Sequence, residues 1–221
     1  MASESPHIPT LMPLGDHAIL VRFSDRLDVG ANALAIDFAQ RLKDQPPVGV
    51  LEVAPNLVSV LVRYDPARTT FAALAGEIRL IGSETGPNRS GGRTHRIEVV
   101  YGGAGGPHLE AVAATLGLTV ERFVAAHRAE ALRVLSVGFA PGFLYCGMHG
   151  PDLLLPRREE VVPSVPPGSV LFAARQTAIT ATPVSTGWSI IGRTRFLNFD
   201  PETMPPTHAI AGDDVTFEVA Q

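Results

Sequence analysis

LRVLSVGFAPGFLY occupies residues 132–145 and decides which fold class the sequence predicts. Its first six residues form a short, mostly aliphatic run, which is typical of a β-strand, and glycines on both sides of a proline then turn the chain sharply. Similar runs follow, each separated from the next by Pro- and Gly-containing turns: SVLFAA at 169–174, WSII at 188–191 and VTFEV at 215–219. The pattern predicts a closed or nearly closed β-barrel with few helices.

Upstream of this stretch, the sequence predicts a short strand and two helices. Residues 97–101 (IEVVY) form the strand. The first helix covers 107–116, with a proline in its first turn and a glycine after its end, an arrangement that suits both termini. Thr119 can cap the second helix, at 120–128.

The first 80 or so residues alternate strand and helix signals. The predicted elements are a strand at 18–23, a helix after Asp28, strands at 50–53 and 57–64 that turn at Pro55 and Asn56, and a second helix after Pro66. Both helices carry apolar residues at spacings of three and four, which gives each of them one face to bury. The order βαββα predicts a small α+β sandwich.

Residues 82–96 (GSETGPNRSGGRTHR) interrupt this periodicity. Their Gly, Ser, Asn and Pro content cannot bury a core and is typical of a linker. We therefore predict an α+β N-terminal domain at 1–84, a linker at 85–96 and a β-barrel domain at 97–221. The alternative is a long surface loop within a single domain.

Composition excludes several classes of partner. Of the 221 residues, 45% are hydrophobic and 18% charged, which is enough apolar content for a sizeable core. A net charge of −4 does not favour binding to nucleic acid or to an anionic membrane, because both are negatively charged. The single cysteine, Cys146, cannot form an internal disulfide, and the N-terminal sequence lacks the features of a signal peptide. Because apolar runs stay far below the ~20 residues that cross a bilayer, we expect a cytoplasmic protein.

The loop at 138–145 (GFAPGFLY) is too apolar to be fully exposed to solvent. Its two phenylalanines and its tyrosine must either cover the edge of a core or line a pocket. Composition leaves both interpretations open.

Polar residues near the predicted strand ends form a candidate cluster. Gln176 and Thr177 supply amide and hydroxyl groups that can orient a ligand. Arg193 can hold a carboxylate or phosphate through two parallel hydrogen bonds. Alternatively, Arg193 pairs with Asp200 or Asp213 as a structural brace.

His127 is a candidate general base. It lies one turn after Phe123 on the second predicted helix, and an imidazole that titrates near neutral pH can accept a proton. The alternative is a packed histidine that interacts with the dipole at the helix C-terminus. The histidines show no metal-ligand spacing, so no metal is expected. A lone cysteine such as Cys146 is more often a buried small hydrophobe than a nucleophile.

Residues 101–107 (YGGAGGP) place a glycine-rich segment between a strand and a helix. Phosphate groups can bind the free N–H groups at such a place. The segment lacks the lysine of the G-x-x-x-x-G-K-[ST] motif, so the chain shows no nucleotide-binding motif.

Ordered motifs along the chain point to a family. They are PLGD at 13–16, YDP at 64–66, YGG at 101–103, GFAPGFLY at 138–145, PRR at 156–158, VPPGSV at 165–170, QT at 176–177, GW at 187–188, IGRT at 191–194 and FD at 199–200. Together they resemble the family of 5-oxoprolinase B subunits, also labelled allophanate hydrolase subunit 1 or carboxyltransferase subdomain C and D. That family includes bacterial sporulation-kinase inhibitors. The resemblance spans nearly the whole chain.

The resemblance implies a small α+β domain followed by a cyclophilin-like β-barrel. It also implies a hydrolase that is active only with a second barrel-type subunit, similar to the C subunit of 5-oxoprolinase or to allophanate hydrolase subunit 2. Such a complex would use ATP to open 5-oxo-L-proline to glutamate, or would act on a related cyclic amide or urea derivative. ATP would be bound within the complex. The alternative is a regulatory protein that inhibits a sensor histidine kinase, with the aromatic loop as its binding hot spot.

The site implied by these motifs lies at the barrel mouth and is completed by the partner subunit. The predicted catalytic residues are His127, Gln176 and Arg193, and the predicted substrate-binding residues are Gly138, Phe139, Pro141, Gly142, Phe143, Tyr145, Thr177, Trp188, Gly192 and Thr194. Two departures from the family pattern leave the substrate open. Arg175 stands where relatives usually carry glycine, and residues 184–188 are VSTGW, where relatives favour a segment ending in SPGGW.

Overall fold

The computed structural model describes residues 9–84 and 92–220. The chain divides into two compact units, Met1–Ser90 and Gly91–Gln221. Residues 85–91 of the predicted linker lie outside the described residues, and from Thr94 onward the chain is already a strand of the second unit. Within the described residues, no helix has the length and apolar character needed to cross a membrane.

The first unit packs two helices on a four-stranded antiparallel sheet. Its elements are β1 Thr10–Pro13, β2 Ala18–Arg22, α1 Val29–Asp44, β3 Val50–Asn56, β4 Ser59–Tyr64 and α2 Phe71–Glu84, and the strand order is β1-β2-β4-β3. The predicted βαββα order is confirmed and is preceded by one further strand. The sequence analysis missed β1 because four residues that end in proline carry too little periodicity to predict an edge strand.

Helix α1 begins and packs as its sequence predicts. The Asp28 carboxylate accepts a hydrogen bond from the Ala31 N–H at 2.7 Å, which caps the first turn. The helix buries Phe38 and Leu42 completely in the core of this unit. Burial of each such side chain stabilises the fold by about 1.5–3 kcal/mol.

The turn between β3 and β4 lies two residues later than predicted. Pro55 and Asn56 belong to β3, and Leu57 and Val58 form the turn, because Asn56 pairs with Ser59. Since β3 is an edge strand, a proline that lacks an N–H is tolerated within it. Asn56 still acts on the turn, because its side-chain oxygen accepts the Leu57 N–H at 2.8 Å.

The second unit is a closed seven-stranded barrel with two short helices. Its elements are β5 Thr94–Tyr101, α3 Leu109–Thr115, α4 Val120–His127, β6 Leu132–Val137, β7 Leu144–Gly147, β8 Val162–Val165, β9 Ser169–Ala173, β10 Gln176–Ile179, β11 Val184–Thr186, β12 Ser189–Arg193 and β13 Asp214–Val219. The barrel order is β10-β7-β6-β13-β5-β12-β9, and β9 pairs again with β10. The predicted barrel and both helices are confirmed, although α3 starts two residues after Pro107.

Strand alternation gives the barrel an inner and an outer core. On β9, Val170 and Phe172 belong to the interior cluster, to which every barrel strand contributes, whereas Leu171 and Ala173 belong to a separate cluster. That second cluster includes Val165 of β8 and Val184 of β11, so the β8–β11 pair covers the outer face of the barrel. Both faces of this part of the sheet are therefore buried.

The glycine-rich segment at 101–107 is used for close backbone packing. The Gly102 N–H donates to the carbonyl of Ile191 on β12 at 3.0 Å, and a Cβ atom at Gly106 would collide with that same carbonyl. These glycines let the segment lie directly on β12. The hypothesis of a phosphate cradle is not needed to explain them.

Candidate functional site

A line of four polar side chains runs through the apolar interior of the barrel. The Tyr101 hydroxyl lies 2.9 Å from His127 Nδ1, and His127 Nε2 lies 2.8 Å from Thr177 Oγ1. His149 Nε2 contacts the same Thr177 oxygen at 2.8 Å. His127 is fully buried, and the rings of Phe123, Phe172 and Phe217 surround it. We call these four residues the buried polar chain.

The single hydroxyl proton of Thr177 orders the buried polar chain. Thr177 can donate to only one of the two imidazoles, so the arrangement that satisfies all three groups has the other imidazole donating to Thr177. His127 and His149 then differ in whether Nε2 carries a proton. If Tyr101 donates to His127, His127 donates to Thr177 and Thr177 donates to His149.

Burial keeps the buried polar chain uncharged at neutral pH. Loss of solvation, with His149 nearby, holds the pKa of His127 well below its usual value. Loss of solvation, with a smaller contribution from the Arg175 charge, lowers the pKa of His149 to about 4. Burial raises the pKa of the Tyr101 phenol, although the charge of Arg128 opposes this. The two imidazoles are therefore neutral acceptors and donors, and not cations.

Arg175 fixes the position of His149. Its Nε and Nη2 both donate to the His149 carbonyl, at 2.8 and 2.7 Å, and the His149 N–H donates back to the Arg175 carbonyl at 2.9 Å. Ala174 and Arg175 both have left-handed backbone, with φ of 50° and 63°. A left-handed position favours glycine, which is the residue that the family resemblance leads one to expect there. In this chain, the arginine instead adds two hydrogen bonds to the segment that holds His149.

The structure divides the predicted site residues between the two faces of the barrel sheet. Thr177 points inward, and its hydroxyl contacts His127. Gln176 pairs across the strands with Ala173, and the aromatic residues Tyr145 and Trp188 lie in the same outer cluster as Ala173. Adjacent residues on a strand face opposite ways, so Gln176 and Thr177 cannot serve the same pocket. The expectation of one site at the barrel mouth is corrected accordingly.

The aromatic residues of the 138–145 loop form a ladder on the outer face. Phe139 contacts Phe143, Phe143 contacts Tyr145, and Tyr145 contacts Trp188, with ring centroids 5.5, 4.8 and 5.9 Å apart. The Arg157 guanidinium lies 5.6 Å from the Trp188 ring centroid. Phe143 and Trp188 are buried, but Phe139 is 75% exposed and has a left-handed φ of 78°. The loop thus covers a core edge and also presents one aromatic ring to solvent.

The loop backbone passes very close to the segment after β12. Gly142 has a left-handed φ of 67°, and a Cβ atom there would lie 2.6 Å from Phe199 Cβ and 2.7 Å from the Asn198 carbonyl oxygen. Only glycine fits at this position. Gly138 meets no such neighbour, and its N–H donates to the Phe143 carbonyl at 3.0 Å, which closes the loop. The remaining predicted residue of the loop, Pro141, lies at its tip between Phe139 and Gly142.

Arg193 lies on the surface, in a groove of about 770 Å³ that also contains Arg96, Glu98 and Arg195. Its guanidinium reaches the Pro167 carbonyl only at 3.5 Å. The predicted neighbours Gly192 and Thr194 flank it: Gly192 packs against the backbone of β5, and Thr194 Oγ1 accepts the Phe196 N–H at 3.1 Å.

The carboxylate of Asp213, one of the two predicted braces for Arg193, is held by other donors. His95 Nε2 lies 2.9 Å from it, and the N–H groups of Arg93 and Ile210 donate to it at 2.9 and 3.1 Å. The alternative in which Arg193 pairs with Asp213 is therefore wrong.

A second surface cleft, of about 750 Å³, lies beside α4 and shares Val100 and Ala220 with the groove of Arg193. Tyr101 lines this cleft, and its hydroxyl contacts His127. Tyr101 is therefore the part of the buried polar chain that reaches a surface opening.

Tyr101 and His149 were missed as site residues by the sequence analysis. The β5 alternation Ile97–Val99–Tyr101 faces the barrel interior, and an inward tyrosine hydroxyl needs a polar partner. That signal was available in the sequence. The contact of His149 with Thr177 joins residues 28 positions apart, and no local pattern indicates it.

The remaining sequence candidates have structural explanations. Cys146 is buried in the barrel interior, and burial raises the pKa of its thiol to about 12, so it stays protonated and unreactive. Among the described residues, no group of three His, Cys, Asp or Glu side chains could hold a metal ion.

Residues 9–209 of the chain match the family described as "Carboxyltransferase domain, subdomain C and D". The chain belongs to this carboxyltransferase family. Two relatives are each named as the B subunit of 5-oxoprolinase. The Bacillus subtilis (strain 168) protein is 32% identical over 92% of this chain and 90% of its own length. The Escherichia coli O157:H7 protein is 34% identical over 92% of this chain and 93% of its own length. The family resemblance of the ordered motifs is confirmed.

Two solved structures share the fold of this chain. The crystal structure of TTHA0988 matches with a TM-score of 0.81 and 31% identity over 92% of this chain, and this chain spans 40% of the length of that one. The Kluyveromyces lactis urea carboxylase matches with a TM-score of 0.78 over 96% of this chain and 22% of its own. At 15% identity the second match concerns the fold alone.

Acid is expected to destabilise the barrel through its two buried histidines. Unfolded His127 and His149 would titrate near pH 6.5, but their folded pKa values are lowered, to about 4 for His149. As pH falls from 6.5 toward 4, the unfolded state therefore binds more protons, and the free energy of unfolding drops by about 1.4 kcal/mol per pH unit for each proton. Urea unfolding followed by Trp188 fluorescence at pH 7.5 to 4.5 measures this slope. His149→Gln should reduce the slope, and His208→Gln, at an exposed position, should not. Equal slopes in the wild type and both variants would contradict the assignment of the slope to the buried histidines.

Substitutions at positions 176 and 177 should differ in their effect on stability. The Gln176 side chain is buried and its Nε2 has no hydrogen-bond partner among the described residues. Gln176→Met removes that donor at similar volume, so the free energy of unfolding should stay equal or rise by about 1 kcal/mol. Thr177→Val leaves two buried imidazoles without their partner and should lower it by about 1–3 kcal/mol. Urea unfolding checks both; a larger loss for Gln176→Met than for Thr177→Val would refute this account.

Proposed function

We propose that this chain is the B-type subunit of an ATP-dependent complex that opens 5-oxo-L-proline to glutamate, or acts on a related cyclic amide or urea derivative. The match to two proteins named as B subunits of 5-oxoprolinase, over more than nine-tenths of this chain, carries the proposal. The buried polar chain supports it, because a group of neutral hydrogen-bonding side chains beneath a surface cleft is a common feature of catalytic sites.

The chemistry explains why such an enzyme would need ATP. A lactam carbonyl is stabilised by resonance with its nitrogen and resists attack by water. Phosphorylation of the carbonyl oxygen would convert that oxygen into a leaving group and would place negative charge where cationic or N–H groups can stabilise it. Arg193 and Arg195 of the Arg193 groove could supply such cationic groups.

ATP itself is assigned to another part of the complex. The glycine-rich segment at 101–107, which was the candidate phosphate site, packs directly on Ile191. With this packing, and without the lysine of the G-x-x-x-x-G-K-[ST] motif, the segment does not fit a nucleotide.

The proposed partner is a second barrel-type subunit similar to the C subunit of 5-oxoprolinase. The exposed Phe139 supports a protein contact. Its ring lies mostly in solvent and its backbone is in the left-handed region, and both features are unfavourable for a phenylalanine. A longer polypeptide such as TTHA0988, of which this chain spans 40%, is consistent with a fold that works beside further protein. We propose that the complex acts in the cytoplasm, as expected from the single cysteine.

Reconstitution tests the proposed function directly. This chain, co-expressed and purified with the candidate partner subunits encoded near it, should release phosphate from ATP only when 5-oxo-L-proline is present, and the chain alone should release none. A coupled phosphate assay with 5-oxo-L-proline, allophanate and urea identifies the substrate. Failure of the complex with all three would remove the proposal, and stoichiometric recovery of a sensor histidine kinase in a pull-down would favour the regulatory alternative.

The exposed aromatic ring can be tested by a matched pair of substitutions. Phe139→Ser should weaken binding of the partner subunit at least tenfold, because it removes the solvent-facing end of the aromatic ladder. Leu154→Ser is the control, since Leu154 is also exposed, at 64%, and lies in the same unit outside the aromatic ladder. Biolayer interferometry with the immobilised partner measures both affinities. Equal affinities for the two variants would show that Phe139 takes no part in the contact.

A further inference from the structure

We infer that the cleft beside α4 binds a small ligand that combines a carboxylate with a compact ring. This inference rests on the proposed function, because 5-oxo-L-proline has both features. The cleft, of about 750 Å³, has walls made mainly of Val120 and Val124 from α4 and Val219 from β13. Small-molecule sites typically combine apolar walls with a few placed polar groups.

Arg128 supplies the positive charge of the α4 cleft. It follows the last residue of α4, is exposed, and takes part in none of the ion pairs within the described residues. Arg128 and Tyr101 both line this cleft, and the Arg128 charge partly opposes the effect of burial on the pKa of Tyr101. A guanidinium that has no carboxylate partner in the described part of the chain can accept one from a ligand.

Among the described residues that line the cleft, Glu121 is the only acidic one, and it lies at the other end. It stands seven residues before Arg128, which corresponds to about 10 Å along a helix axis. A ligand carboxylate is therefore attracted to the Arg128 end and repelled from the Glu121 end. The ring of the ligand then lies over Val124, which is between the two along the helix.

The neighbouring groove of Arg193 is less suited to this ligand. Arg96 there is already paired with Glu218 at 3.0 Å, and Glu98 adds a negative charge to the same wall. The α4 cleft differs in having Tyr101 as part of its wall, and the Tyr101 hydroxyl connects it to His127. A ligand at Arg128 thus lies against the part of the buried polar chain that reaches the surface.

Nuclear magnetic resonance with the full chain tests the site without any enzymatic activity. Titration with 5-oxo-L-proline and with cyclopentanecarboxylate should shift the amide signals of Val124, Arg128 and Ala220. Arg128→Gln should weaken binding of both carboxylates at least tenfold, and Arg122→Gln, which changes an exposed arginine of α4 outside the cleft, should change it less than twofold. The uncharged carboxamide of 5-oxoproline should bind wild type and Arg128→Gln equally. Absence of shifts in the cleft, or equal affinity of wild type and Arg128→Gln for the carboxylates, would overturn the inference.

The outcome separates this inference from the proposed function. In the reconstituted complex, Arg128→Gln should raise the KM for 5-oxo-L-proline at least tenfold, and Arg122→Gln should not. If the complex shows lactam-dependent ATPase activity but its KM does not respond to Arg128→Gln, the result contradicts the cleft as the ligand site and leaves the proposed function intact. Carboxylate binding at the cleft in a complex that never responds to 5-oxo-L-proline contradicts the proposed function alone.

Discussion

Closure of the seven-stranded barrel is the constraint on which the rest of the second unit depends. A closed sheet has one interior, and every strand must send alternate side chains into it. Val170 and Phe172 therefore face inward while Leu171 and Ala173 face outward, and the same rule separates Thr177 from Gln176. Part of the outer face is then buried by the β8–β11 pair, and the aromatic residues of the 138–145 loop pack there.

The interior imposes a second condition, because polar groups buried there must satisfy one another. Thr177 provides a hydrogen-bond partner for both imidazoles, and Tyr101 provides the remaining hydrogen bond to His127. Such a chain tolerates little change, since the loss of one hydroxyl leaves several groups unpaired. Arg175 adds two hydrogen bonds from its guanidinium to the backbone carbonyl of His149. Arg175 thus has a structural role close to the candidate site.

The fold was largely accessible from the sequence, and the site only in part. Helix caps such as Asp28 and Thr119, apolar spacing and Gly/Pro turns are local signals, so the elements of both units could be predicted from them. His127 was recognised as a candidate general base on a helix, and Thr177 separately as a hydroxyl near a strand end. Their contact spans 50 positions in the chain, and only the closed barrel brings them together. Arg193 was recognised as a ligand-binding candidate, but its position on an open groove depends on how β12 pairs with β5.

The amino-acid sequence by itself determined the family, the β-barrel and the apolar character of the 138–145 loop. These follow from residue type and spacing within short windows, which are properties of the chain before it folds. Only the tertiary structure decided which side of the sheet each candidate faces and which groups share a hydrogen bond. The physical reason is that strand register and barrel closure are set by contacts between distant segments. Gln176 and Thr177 look alike as site candidates in the sequence, yet the barrel makes one a buried amide on the outer face and the other the centre of the buried polar chain.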